Sequence, residues 1–169
     1  YHEGLPGHHM QISIAQELKD IPKFRTQAGF TAYSEGWALY SEALATEIPG
    51  TYQDPYNRFG QLTSEIWRAI RLVVDTGLHS KGWTEQEAID FFMENSPEPL
   101  ESVVSEIQRY IVMPGQATSY KIGMLKIQEL RKRAEESLGE KFSLKTFHDK
   151  ILGGGALPLP LLEKVIDRW

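Results

Sequence analysis

The stretch DPYNRFGQLTSEIWRAIRLVVDTGLH, residues 54–79, decides the fold. It opens with Asp54-Pro55, and proline suits the first turn of a helix. Its apolar side chains then recur at intervals of three and four residues, which places them on one face of a helix. This face consists of Leu62, Ile66, Ala69, Ile70, Val73 and Val74. The pattern predicts a long helix that packs this face against a core.

The same helical periodicity extends over the rest of the chain, and no alternating pattern of a strand occurs. Proline and glycine separate the periodic segments, and Thr84 with Glu87 forms the sequence pattern of a capping box. We therefore predict a single all-α domain over residues 1–169, with roughly eight helices. The predicted helices are 8–18, 31–48, 54–79, 85–95, 99–110, 116–138, 143–152 and 158–169.

Composition excludes several classes of protein. The net charge is −5 without a basic patch, which argues against nucleic-acid binding. No apolar run approaches the ~20 residues of a membrane span. The chain has no cysteine, so histidine and carboxylates are its only strong metal ligands. Because it opens without an initiator methionine, directly on the candidate site, we expect the C-terminal part of a longer protein. The missing N-terminal part would then be a partner, and the compartment stays open between the cytoplasm and export.

The first nine residues, YHEGLPGHH, combine three histidines with a glutamate. Imidazole and carboxylate are the ligands of catalytic zinc sites, and a glutamate directly after the first histidine is the usual general base. Here that base is Glu3. His2 and His8 lie six residues apart instead of the usual four, but the Pro6-Gly7 bend allows both to face one point. His9 competes with His8 as the second ligand.

A third ligand has to come from another segment. Glu35 lies on the next predicted helix, 27 residues after His8, and a glutamate on a following helix is a known third zinc ligand. Glu42 lies two turns further along the same helix. It either orients a ligand histidine or belongs to a solvated face. We predict a zinc ion held by His2, His8 and Glu35.

The whole chain resembles the bacterial domain-of-unknown-function 885 family. This resemblance implies a largely helical fold and a relation to zinc peptidases such as carboxypeptidase Taq, thimet oligopeptidase and angiotensin-converting enzyme. It also implies that His8 is a ligand in preference to His9, and that several hundred N-terminal residues are absent. The resemblance is carried by YHEGLPGHHMQ at 1–11, YSEGWALYSE at 33–42, RLVVDTGLHSKGWT at 71–84, RYIVMPGQATSYKIGMLKIQELR at 109–131 and FHDKILGGGALPLPLLE at 147–163.

Peptide hydrolysis also needs a donor for the oxyanion. The resemblance to helical peptidases implies a tyrosine on a late, glycine-containing helix, and Tyr120 matches by position, with Tyr110 as second candidate. Arg109 and Gln116 are predicted to bind substrate, because a guanidinium grips carboxylates through two hydrogen bonds. A further set, spaced four apart on one helix, forms either an ion-pair ladder or a support for the metal site: Arg71, Asp75 and His79.

The sequence thus predicts a zinc-dependent peptidase with a peptide substrate, in which Glu3 is the general base. Two alternatives remain open. One is a catalytically inactive helical binding module, which would not need Glu3. The other is a metal-dependent hydrolase of a non-peptide amide or ester, and sequence patterns do not separate it from a peptidase.

Overall fold

The computed structural model describes residues 1–19 and 21–169. These residues form α-helices and two short 3-10 helices, at Lys23–Thr26 and Gly139–Lys141, and contain no strand. None of the helices in this part of the chain is long and apolar enough to cross a membrane. The all-α prediction is confirmed. The helices are α1 (His8–Glu17), α2 (Thr31–Ala45), α3 (Pro55–Ser80), α4 (Glu85–Asn95), α5 (Leu100–Val112), α6 (Gln116–Leu138), α7 (Leu144–Leu152) and α8 (Leu159–Asp167).

Local side-chain chemistry explains where several helices begin. Thr84 and Glu87 form both hydrogen bonds of the capping box at α4. The Asp54 carboxylate accepts from the Tyr56 amide at 2.7 Å at the start of α3. The main difference from prediction is the end of α2, which lies at Ala45 instead of residue 48 because the chain already turns before Pro49-Gly50.

The core has two parts, which lie on either side of α6. In the first part α2 packs closely on α6, and α7 and α8 complete it. In the second part α3, α4 and α5 pack together, and α3 also contacts α6. The largest fully buried side chains of the two parts include Trp37, Tyr40, Phe147, Phe92 and Tyr110.

Two glycines allow α2 and α6 to approach closely. A Cβ atom on Gly36 would lie 2.5 Å from the Gly123 Cα, and one on Gly123 would collide with the Ala32 carbonyl oxygen. Only glycine fits such a backbone contact. Glu35 directly precedes Gly36, and Tyr120 lies one turn before Gly123 on α6. The contact therefore brings a predicted metal ligand and the predicted oxyanion donor to the same region.

The buried face of α3 is not the one that the apolar spacing predicted. Ile70 and Val74 are buried as expected, but Leu62, Ile66 and Val73 are 48%, 43% and 41% exposed. The prediction is wrong for these three because the helix is rotated toward a polar interior. The polar side chains buried on α3 are Gln61, Arg71 and Asp75.

Candidate metal centre

A loop formed by residues 1–7 leads into α1 and folds back on itself. The amide of His8 donates to the His2 carbonyl at 2.8 Å, and the amide of His9 donates to the Glu3 carbonyl at 3.0 Å. A Cβ atom on Gly7 would collide with the His2 carbonyl oxygen, so this closure requires glycine. As a result the rings of His2 and His8 lie 4.9 Å apart and almost perpendicular.

Both rings point their Nε2 atoms at one oxygen of Glu35. The Glu35 Oε2 atom lies 3.3 Å from His2 Nε2 and 3.2 Å from His8 Nε2. Ligands at about 2.0–2.1 Å from a tetrahedral zinc ion are separated from one another by roughly 3.3 Å. The donor set and these separations fit a zinc ion.

The second nitrogen of each ring is already engaged. His2 Nδ1 donates to Glu42 Oε1 at 2.7 Å, and His8 Nδ1 makes a longer contact of 3.4 Å with Gln11 Oε1. Carboxylate and amide oxygens only accept, so Nδ1 carries the hydrogen in both rings. A ring that loses its Nε2 proton can bind a cation through that atom, as in metal sites whose outer partners fix the tautomer. We refer to His2, His8, Glu35 and Glu42 as the histidine cluster.

Electrostatics within the histidine cluster favour a bound positive charge. Burial lowers the pKa of His2, but the hydrogen bonds to Glu35 and Glu42 outweigh it and raise the pKa to about 9. The bond to Glu35 likewise raises the pKa of His8. Burial raises the pKa of Glu35, yet the two imidazoles lower it to about 2. Three acceptor atoms that face one another require a cation, and either a proton or a metal ion meets that need.

Glu3 lies close to the point where His2, His8 and Glu35 face one another. Its side chain is 85% exposed, and its Oε1 is 4.0 Å from His2 Nε2. Ligand atoms of His2, Glu3 and His8 lie within 4.8 Å of one another. The carboxylate is therefore within reach of a water at the centre. His9, the competing ligand, is exposed on α1.

Glu42 connects the cluster to α3, and this connection involves two residues that the sequence did not reveal. Ser64 Oγ donates to Glu42 Oε2 at 2.8 Å, and Arg68 Nη2 lies 3.8 Å from Glu42 Oε1. Burial raises the pKa of Glu42, but His2, Arg68 and Ser64 outweigh it and lower the pKa below the ordinary value. Glu42 is thus held as the anion that orients His2. In the sequence, only their spacing of four residues, which places both on one face of a helix, relates Ser64 to Arg68.

Tyr120 lies against the histidine cluster. Its ring stacks on His2 with a centroid separation of 6.1 Å and an interplanar angle of 22°. Its hydroxyl accepts a hydrogen bond from Gln116 Nε2 at 3.3 Å. Gln116 in turn accepts from Arg109 Nη2 at 3.0 Å, so the two predicted substrate-binding residues contact each other and Tyr120.

Tyr110 occupies a different place. It is 1% exposed, and its hydroxyl donates to Glu106 at 2.7 Å while it accepts from Arg71 Nε at 2.8 Å. Arg71 also pairs with Glu106 through Nη2 at 2.8 Å. We call Arg71, Glu106 and Tyr110 the Arg71 cluster. The Tyr110 hydroxyl is used within this cluster, which makes Tyr120 the better placed of the two tyrosines.

The ion-pair ladder, one of the two alternatives for Arg71, Asp75 and His79, is not found among the described residues. Arg71 binds α5, the Asp75 carboxylate accepts from the Gly115 amide at 3.1 Å, and His79 Nε2 donates to the Tyr110 carbonyl at 2.9 Å. Arg71 and His79 both bond α5, and Asp75 bonds the start of α6, so the three side chains bond other segments instead of one another. The three residues connect α3 to α5 and to the start of α6.

Comparison with known proteins places the chain in a family. Residues 1–166 match the family described as "Bacterial protein of unknown function (DUF885)". The chain belongs to the DUF885 family. Both the loop at residues 1–7 and most of α8, at the other end of the chain, lie within this match.

Two solved structures resemble this DUF885 chain closely. One is a candidate lipoprotein from Colwellia psychrerythraea, with 47% identity and a TM-score of 0.97 over 100% of this chain and 29% of that protein. The other is a candidate lipoprotein of unknown function from Shewanella oneidensis, with 27% identity and a TM-score of 0.89 over 98% of this chain and 30% of that protein. The DUF885 chain thus spans less than a third of either protein. A search of curated proteins finds no match.

Proposed function

We propose that this DUF885 chain carries the catalytic residues of a zinc-dependent peptidase. The observation that carries the proposal is the position of Glu35 Oε2, at 3.3 and 3.2 Å from the Nε2 atoms of His2 and His8. In a purely structural site a fourth protein ligand, often cysteine, usually closes the coordination sphere. Here the neighbouring carboxylate is the exposed Glu3, which suits a general base better than a fourth ligand.

His2, His8 and Glu35 would hold the zinc ion, while Glu42 and Gln11 keep both imidazoles in the tautomer that binds metal. A bound zinc ion supplies Lewis acidity, which polarises a carbonyl and lowers the pKa of a water. A relation to the helical zinc peptidases is part of this proposal.

Glu3 and Tyr120 would act on the substrate. The exposed Glu3 carboxylate accepts a proton from the attacking water and delivers it to the leaving amine. The Tyr120 hydroxyl already accepts from Gln116, so its own hydrogen remains available for the oxyanion. Stacking on His2 keeps the Tyr120 ring beside the metal ligands.

The two solved relatives are both described as candidate lipoproteins. We therefore propose that the protein is exported and anchored by lipid, and that its peptide substrates are outside the cytoplasm. Fractionation of cells that produce the protein tests this point. Recovery from the soluble cytoplasmic fraction alone would contradict it.

The proposed function is tested with Glu3→Gln. The variant should retain zinc in the amount found for the wild type, measured by mass spectrometry of the metal, but hydrolyse a peptide library ~10²–10⁴-fold more slowly, because it lacks the general base. Glu101→Gln, an exposed glutamate on α5, is the matched control and should behave as the wild type.

Three results would count against the proposal. Loss of zinc in Glu3→Gln would make Glu3 a ligand. Cleavage of small esters or non-peptide amides without cleavage of peptides would change the substrate class. A zinc-loaded wild type that hydrolyses none of these compounds would favour the inactive binding module.

A further inference from the structure

Arg68 lies on α3 between the histidine cluster and Tyr120. Its Nη2 atom is 3.8 Å from Glu42 Oε1, and its Cζ atom is 5.9 Å from the centre of the Tyr120 ring. The side chain is 18% exposed, so it is shielded but reachable from solvent. Its guanidinium is therefore a positive charge close to the proposed zinc site.

One edge of this guanidinium has no hydrogen-bond acceptor. Nη1 donates to the Ser64 carbonyl at 3.1 Å and to the Ser64 hydroxyl. Nε is buried without a partner among the described residues, and Nη2 has only the 3.8 Å ionic contact with Glu42. Nε and Nη2 together form an edge whose two parallel N–H groups match a carboxylate. A buried donor without a partner is costly unless a ligand supplies the acceptor.

The other two arginines near Tyr120 differ from Arg68 in this respect. Arg71 uses the same edge fully, with Nε on Tyr110 and Nη2 on Glu106. Arg109, which the sequence suggested as the carboxylate ligand, donates through Nη2 to Gln116 and contacts Glu106 through Nη1. Among the three, Arg68 is the one whose Nε and Nη2 atoms both lack a hydrogen-bond acceptor; an incoming anion would approach through Nη2, because Nε is buried.

The cavity beside Arg68 indicates which anion fits. It has a volume of about 380 Å³, and Phe59, Trp67 and Pro97 supply apolar and aromatic walls. Glu98 also lines the cavity and would repel a ligand with a second negative charge. The Glu42 oxygens bond His2 and Ser64 closely, while Arg68 Nη2 stays 3.8 Å from Glu42 without a hydrogen bond to it. The surroundings suit one carboxylate attached to an uncharged, apolar group.

We propose that Arg68 binds the C-terminal carboxylate of the peptide substrate, and that the adjoining cavity takes an apolar terminal side chain. The inference rests on the proposed peptidase function and adds the substrate class: peptides with a free C-terminus that are cleaved near that end. Arg68 then determines specificity, because it discriminates between a free terminus and a blocked or internal one.

Binding to the zinc-loaded Glu3→Gln variant tests the inference without turnover. The probes are acetyl-Ala-Ala-Phe and its C-terminal amide, and their dissociation constants are measured by calorimetry. The acid should bind ~10- to 100-fold more tightly, since a charge-assisted pair is worth about 1.5–3 kcal/mol and each 1.4 kcal/mol is tenfold. Adding Arg68→Gln should abolish this preference, and Arg68→Lys should retain part of it.

The matched control is Arg133→Gln, at the far end of α6, where Arg133 pairs with Glu163 and Asp167. It should leave the preference for the acid unchanged. Zinc content and thermal melting show whether each variant is folded. If Arg68→Gln does not fold, Arg68→Lys replaces it in the test.

Equal binding of acid and amide to the Glu3→Gln protein, or binding of neither, would overturn the inference. A preference for the acid that survives Arg68→Gln but disappears in Arg109→Gln would assign carboxylate binding to Arg109. This result would also overturn the inference. Failure of the proposed function looks different, because the zinc-loaded wild type would then hydrolyse neither peptide while the Glu3→Gln protein still distinguishes them.

Discussion

The histidine cluster and the Arg71 cluster both consist of buried and half-buried polar residues, but they differ in whether the protein itself compensates their charges. In the Arg71 cluster a buried cation is surrounded by acceptors, with Glu106 and Tyr110 on its Nε and Nη2 atoms. The rings of Tyr120 and Trp67 cover it at 4.6 and 5.5 Å. In the histidine cluster two imidazole nitrogens and a carboxylate oxygen face one another. In the first arrangement the protein itself supplies the counter-charge, although Arg71 Nη1 is buried without a hydrogen-bond partner among the described residues. The second arrangement needs an added cation.

This difference separates structural from functional polar groups. A buried ion pair whose charges compensate each other contributes to the fold and requires no added ion. A group of acceptors that converge on one point is unfavourable until a proton or metal ion occupies it. We therefore expect substitutions in the Arg71 cluster to change the free energy of unfolding, and substitutions in the histidine cluster to change zinc binding.

The largest effect on stability should come from Glu106→Ala. It leaves the guanidinium of Arg71, whose side chain is 5% exposed, without its counter-ion. Breaking a buried pair in this way costs about 3–5 kcal/mol. Denaturant unfolding should show this loss, while zinc affinity stays within a few-fold of the wild type.

Glu136→Ala is the control for this comparison, because Glu136 forms a surface pair with Lys132 at 3.8 Å, and such pairs contribute about 0–1 kcal/mol. If Glu106→Ala lowered the free energy of unfolding no more than this control, the Arg71 cluster would not be a stabilising element.

Zinc binding at the histidine cluster should have the next largest effect on the free energy of unfolding. Free zinc at 100 times its dissociation constant stabilises a folded protein by about 2.7 kcal/mol. For a chain of this size that corresponds to a rise in melting temperature of roughly 5–11 °C. Scanning calorimetry with zinc and with a chelator measures the shift. Glu35→Ala should remove it, and an equal shift in that variant would place the metal elsewhere.

The smallest effect should be the change in zinc affinity that Glu42→Gln causes. This substitution weakens the orientation of His2 without removing a ligand. Loss of such an outer partner typically reduces metal affinity ~10- to 100-fold. Competition with a chromogenic chelator measures the zinc affinity. Glu47→Gln, at a carboxylate that pairs with Arg131 away from the cluster, should leave it unchanged. An unchanged affinity in Glu42→Gln as well would mean that Glu42 does not orient the ligand.

Helix positions could be predicted well because their signals are local. The capping box of Thr84 and the breaks at Pro49-Gly50 and Pro114-Gly115 act through neighbouring residues, and the structure places helix ends close to them. The buried face of α3 could not be predicted, because it depends on partners from distant segments. Arg71 is buried only because Glu106 and Tyr110 on α5 satisfy it.

The candidate site likewise divides into residues with a local signal in the sequence and residues that depend on distant contacts. His2, His8, Glu3 and Glu35 could be proposed from the sequence because residue type and spacing suggested metal chemistry, and the structure brings these side chains close together. Arg68 was not identified, because an arginine on an amphipathic helix is ordinary in sequence. Its significance comes from what its neighbours leave unbonded, and only three-dimensional contacts reveal that.

The closed loop at residues 1–7 has a consequence for the detection of similar sites in other sequences. When both histidines lie on one helix, the helical pitch dictates their spacing of four. Here the two histidines are six residues apart, and two amide-to-carbonyl hydrogen bonds across the loop bring them together. The lack of a side chain at Gly7 makes this closure possible. A pattern search built on the helical spacing would miss this site. A better pattern is His-Glu, any three residues, then Gly-His, with a glutamate on the following helix.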